Sequence, residues 1–143
     1  MLQLKNYVRI LLVVYLSSCV CSQYQRKGKR NWQKPPLTSA VPLTDEDHEK
    51  HLAPLIRKGW MVDRNISVAK MKKDFIFRSF FGAFGFMSHI AMFCEETNHF
   101  PEWFNVYKVV KISLSTKHIK TLSQRDITLA NYIEQVVGIY QNI

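Results

Sequence analysis

The chain has 143 residues, 47% of them hydrophobic, with nine Phe, six Tyr and three Trp; this is enough apolar material for one packed domain and too much for an intrinsically disordered protein. Its formal net charge of +9 is unevenly placed: residues 1–43 hold seven of the twenty Lys and Arg and none of the eleven acids, which leaves +2 for residues 44–143. A near-neutral domain excludes a basic stripe built to follow a phosphate backbone.

Lys5 and Arg9 precede an apolar run from Ile10 to Leu16, and small residues follow from Ser17 to Ser22, which is the order of a secretory signal peptide. The run is too short for a stable membrane span. Residues 1–22 are therefore expected to be a signal, pointing to the secretory pathway or the extracellular space. The alternatives are a mitochondrial presequence, an uncleaved anchor or, if Met1 is not the true start, a cytoplasmic protein. The sequon Asn65-Ile66-Ser67 goes with secretion. Cys19 and Cys21 fall in the same segment, so Cys94 has no intrachain disulfide partner in the mature domain. Residues 23–42, with Arg26, Lys27, Lys29 and Arg30 and with Pro35, Pro36 and Pro42, form an expected linker.

The domain, residues 43–143, opens on Thr44-Asp45-Glu46-Asp47, a capping-box pattern for a helix whose buried face is Leu52, Leu55 and Ile56 and whose end is Gly59. Pro54 predicts a kink or break within it. A short extended piece follows Trp60. From Met71 to Phe81, Met71, Lys73, Phe75 and Phe77 alternate with Lys72, Asp74, Ile76 and Arg78, predicting a strand.

From Ala83 to Thr97 the spacing becomes helical, with Phe84, Met87, Ala91 and Cys94 on one stripe and Phe86, Ile90 and Phe93 beside it. Pro101 ends that pattern and makes 98–102 a turn. Alternation from Val106 to Ser115 predicts one further strand. Ser123-Gln124-Arg125-Asp126 is a second capping box, opening a helix whose stripe is Ile127, Ala130, Ile133, Val137 and Tyr140. The order α-β-β-α-β-α predicts an α+β fold: an antiparallel sheet with three helices packed on one face.

Three stretches, Gly82-Ala83-Phe84-Gly85-Phe86-Met87, Pro101-Glu102-Trp103-Phe104-Asn105-Val106-Tyr107 and Glu134-Gln135-Val136, closely resemble the pterin-4a-carbinolamine dehydratase family over residues 43 to 138. A member of that family is also a dimerisation cofactor of a homeodomain transcription factor. The resemblance implies dehydration of a 4a-hydroxytetrahydropterin to the quinonoid dihydropterin, without metal or other cofactor. It also implies assembly into dimers or tetramers through the helices. No direct nucleic-acid contact is expected.

That chemistry delivers a proton to a departing hydroxyl and removes another from the neighbouring ring nitrogen, a task for groups titrating near neutrality. By the family's pattern the catalytic candidates are His99, the first of a histidine pair, and Glu95, four residues earlier and expected to orient it. Asn98, Phe100, Ser115, Thr116, Lys117, His118, Arg125 and Asp126 join His99 as expected substrate-binding residues. Phe100 and Lys117 stand where the family has its second and third histidines, and neither Phe100 nor an ordinary lysine replaces an imidazole. A non-catalytic pterin-binding or dimerisation protein of the same fold is therefore the alternative. Trp103, Phe104 and Tyr107 are expected in the core, and His48, His51 and His89 on the surface.

Overall fold

The computed structural model describes residues 40–64 and 67–143; the expected signal peptide, nearly all of the linker and Asn65 of the sequon lie outside the described residues. Helix α1 begins as one α-turn at Asp45–Asp47, capped by Thr44 and Asp47 in the reciprocal arrangement the sequence predicts. It then widens to a π segment at His48–Leu52 and returns to α at Ala53–Arg57. Pro54 supplies the physical reason. It has no N–H, and its ring would meet the carbonyl four residues back, so it is accommodated in the first turn of the second α segment. Leu52 and Leu55 are buried, but Ile56 is exposed, because the π segment rotates the helix face away from a uniform 3.6-residue repeat. Gly59, at φ 94°, ends the helix as expected.

Strand β1 (Met61–Asp63), β2 (Lys70–Ile76), β3 (Glu102–Val106) and β4 (Val109–Leu114) form one antiparallel sheet in the order β1-β2-β4-β3. The α+β class and the antiparallel sheet hold. The strand count differs, because the single strand expected over 106–115 is the second arm of a hairpin. Its loop is only Tyr107 and Lys108, since Val106 pairs with Val109. Tyr107 adopts φ 50°, a region usually left to Gly or Asn, and so carries no turn signal of its own. Asn105 braces the loop instead, its Nδ2 donating to the carbonyls of Tyr107 and Val109 at 3.1 and 2.9 Å.

Helices α2 (Phe80–Thr97) and α3 (Gln124–Tyr140) pack with α1 on one face of the sheet. Met71, Phe75, Val110, Ile112 and Leu114 from the sheet meet Leu52, Leu55, Ala83, Phe86, Ile90, Ile127, Ala130 and Ile133 from the helices in one core. The buried stripe of α2 is Ala83, Phe86, Ile90 and Cys94, while Phe84 is exposed. The stripe is displaced because α3 packs tightly on Gly82 and Gly85: a Cβ at Gly82 would lie 2.8 Å from the Tyr140 carbonyl, and one at Gly85 2.9 Å from the Tyr140 ring. Farther along, Phe93 stacks on Tyr132 at 3.8 Å, so the two helices run antiparallel. His89 is half-buried in this seam, not on the surface, with Nδ1 3.1 Å from the Tyr140 hydroxyl; burial holds its pKa below the ordinary histidine value.

Lys73 points to the helix side of β2, where a lysine needs an acceptor. Its ammonium donates to Glu134 Oε1 at 2.7 Å and to the Lys58 carbonyl at 2.6 Å, and the Trp60 indole donates to the same Glu134 oxygen at 2.9 Å. Glu134 thereby ties α3 to β2 and to the end of α1. Among the described residues no helix is long and apolar enough to cross a membrane.

The close α2–α3 approach makes glycine substitutions diverge. Gly82→Ala should lower stability by about 1–3 kcal/mol through overpacking against backbone oxygens that cannot yield. Gly138→Ala, on the exposed side of α3 with nothing within 4 Å of an added Cβ, should raise it by about 0.5–1 kcal/mol. Urea midpoints measure both, and equal effects would refute the packing account.

Candidate functional site

Helix α2 ends where Asn98 turns left-handed, at φ 50° and ψ 41°, with its N–H donating to the Cys94 carbonyl. Asparagine tolerates that conformation better than most residues. The reversal lifts His99 off the helix and directs it inward, where it is 7% exposed. Its Nε2 lies 2.8 Å from Oδ1 of Asp126, which is wholly buried at the start of α3.

Asp126 does two jobs. As the third residue of α3 its Oδ2 accepts the Ser123 N–H at 2.8 Å, completing the predicted capping box. The same oxygen accepts the Thr116 hydroxyl at 2.7 Å. Because the only hydroxyl proton of Thr116 goes to Asp126, the 2.6 Å contact between Thr116 Oγ1 and Ser123 Oγ is donated by Ser123. The carboxylate is thus oriented on both oxygens, and the imidazole is held by a bond in which Nε2 carries the proton toward Asp126.

The expected site residues fall into two groups. His99, Ser115, Thr116 and Asp126 are buried, and Asn98 and Arg125 half-buried. Phe100, Lys117 and His118 are exposed. Lys117 and His118 lie on a 3₁₀ turn, Lys117–Ile119, and not on extended backbone, so they do not alternate between opposite faces as a strand would require. Glu95, expected to orient the imidazole, lies on the exposed side of the last turn of α2. The bond to His99 Nε2 comes from Asp126 on α3. Trp103, Phe104 and Tyr107 are not core residues: β3 is an edge strand, and Phe104 and Tyr107 are 61% and 63% exposed.

Sequence reasoning passed over Ser123 as more than a cap, and it passed over Glu102. Glu102 Oε1 lies 2.7 Å from Lys117 Nζ and Oε2 2.6 Å from Lys70 Nζ. These hydrogen bonds, that from Lys117 first, hold the Glu102 carboxyl down at about 2. Cys94, by contrast, is pushed up to about 12 by burial and is an inert core thiol.

A family profile described as pterin 4 alpha carbinolamine dehydratase matches residues 41–136. A protein of Dinoroseobacter shibae named for the pterin-4-alpha-carbinolamine dehydratases is 42% identical over 98 residues, covering 68% of this chain and 98% of the relative. The crystal structure of a transcriptional coactivator/pterin dehydratase from Brucella melitensis superposes with a TM-score of 0.61 at 31% identity, covering 68% of this chain and all of that one.

The lowered Glu102 pKa fixes a pH signature. The folded carboxyl is more acidic than its ordinary value of 4.5, so its contribution to stability is complete above that value and disappears as pH falls toward about 2. The ion pairs are exposed, so the effect is small. The stability difference between the wild type and Glu102→Gln should be present at neutral pH, shrink below pH 4.5 and vanish near pH 2; a difference that grows on acidification would contradict the pairing.

Proposed function

Because the chain belongs to the pterin-4a-carbinolamine dehydratase family, we propose that it binds a 4a-hydroxytetrahydropterin and dehydrates it to the quinonoid dihydropterin and water. In that reaction the C4a–O bond breaks, the hydroxyl leaves with an added proton, and the adjacent ring nitrogen gives up its proton as its electron pair closes the new double bond. The observation that carries the reading is the buried bond from His99 to Asp126. It fixes one ring nitrogen and reserves the other for proton transfer, the arrangement general acid and base catalysis needs. His99 is the acid/base, Asp126 its positioning residue, and Ser115 and Thr116 shape the strand end beside it. Phe100 offers a ring face on which a pterin can stack.

The purified protein mixed with freshly generated 4a-hydroxytetrahydrobiopterin should form the quinonoid product faster than the spontaneous reaction, and His99→Gln should slow it by about 10²- to 10⁴-fold or to the background. A wild-type rate equal to background would sink the catalytic reading. Asp126→Asn should slow turnover with little change in KM, as expected of a residue that sets the imidazole tautomer.

A second reading, a pterin-binding or assembly protein without turnover, is favoured by Phe100 and Lys117 at the positions of two family histidines, both exposed and neither an imidazole. The double variant Phe100→His/Lys117→His separates the two. A large gain from a silent parent marks a binder on an enzyme's scaffold, whereas a modest gain over an active parent marks a slow enzyme.

Self-association through the helices belongs to the same proposal. Phe80, Phe81 and Phe84 are exposed on α2, with Phe80 and Phe84 in ring contact at 5.7 Å, an apolar cluster of the kind that marks an interaction surface. Light scattering should give a mass above that of one 16.8 kDa chain, and Phe84→Glu should lower it; a monomer at all concentrations would contradict this part.

A further inference from the structure

The two segments that lead out of the buried network meet again at its edge. Glu102 opens β3 three residues after His99, and Lys117 opens the 3₁₀ turn immediately after Thr116; the two side chains join at 2.7 Å. Lys70, at the start of β2, reaches the other oxygen of the same carboxylate at 2.6 Å. Lys120 ends the 3₁₀ turn, and its carbonyl accepts the N–H of Ala69 at 3.1 Å, which brings a third lysine into the chain segment beside Lys70. Lys70 and Lys117 against Glu102 leave this rim with an excess of positive charge, in a domain that is otherwise near neutral.

The geometry is already that of an anion cradle, because two ammonium groups converge on the two oxygens of one carboxylate. Each ammonium carries three N–H donors and gives one to Glu102. The Lys117 side chain is 68% exposed, so its other donors are open to a ligand. We infer that this lysine rim selects pterins whose side chain ends in an anionic group, a carboxylate or a phosphate, with Glu102 as the positioning residue that keeps Lys70 and Lys117 converged. The inference rests on the reading of the adjoining site as a pterin site. It gives Lys117 a role that neither proton transfer nor the family's histidine chemistry requires: a cationic contact to substituent, not ring. An imidazole at that position would be largely neutral at physiological pH and would offer no such charge.

Fluorescence titration of the full chain with three pterins tests this: pterin-6-carboxylate, phosphorylated 6-hydroxymethylpterin and neutral 6-hydroxymethylpterin. At low salt the anionic pterins should bind roughly 25-fold more tightly than the neutral one, about fivefold for each part-exposed ammonium, with the gap closing at high salt. Lys117→Gln and Lys70→Gln should each remove about fivefold of the preference, whereas Lys111→Gln, which pairs with Asp74 elsewhere on the sheet, should leave it intact. A preference for only one of the two anions also supports the inference and identifies which group the rim takes. Equal affinity for all three, or a preference that both lysine variants retain, overturns the inference and leaves the pterin reading standing. Binding of none of the three overturns both.

Discussion

The structure depends on one carboxylate. Asp126 is wholly buried, and a buried carboxylate is tolerated only when its oxygens are met by donors. Here the donors come from three places in the chain: His99 after α2, Thr116 after β4, and the Ser123 backbone at the start of α3. The bonds that satisfy the charge therefore also fix the helix start, the strand end and the imidazole relative to one another. Removing His99 leaves Oδ1 desolvated and without a donor, at a cost of about 1–3 kcal/mol, so the site and the fold are stabilised by the same bonds.

From that constraint follows the division of the site into a buried half and an exposed half. The buried half, His99, Thr116, Ser123 and Asp126, is rigid and can orient a proton donor or acceptor. The exposed half, Phe100 and Lys117, offers a flat ring and a cation. An aromatic face and a fixed charge recognise a ligand; they do not move protons near neutrality.

Much of this was legible in the residues. Both capping boxes, the Gly59 stop, the α3 stripe and the class of the fold follow from local rules, since caps and apolar periodicity act within a few residues of where they are written. The β3–β4 hairpin was not legible. Its loop is Tyr107-Lys108, and the residue that stabilises it, Asn105, sits inside the strand, so no turn signal marks the reversal. The bond between His99 and Asp126 was not legible either: the left-handed Asn98 ends the helix just before His99, and Asp126 lies 27 residues away in sequence. The aromatic run from Trp103 to Tyr107 suggested a core, yet an edge strand has no neighbour on one side to cover it. Each miss is a tertiary relation, invisible to patterns read along the chain.

The central claim is that Asp126 holds the Nε2–H tautomer of His99 and leaves Nδ1 for chemistry. Nitrogen-15 NMR of histidine-labelled protein reads this directly. The account predicts a His99 resonance pair with Nε2 protonated in the neutral ring and Nδ1 unprotonated, with a pterin analogue shifting Nδ1 and leaving Nε2 in place. A neutral ring protonated at Nδ1, or an analogue that perturbs Nε2 first, would contradict it.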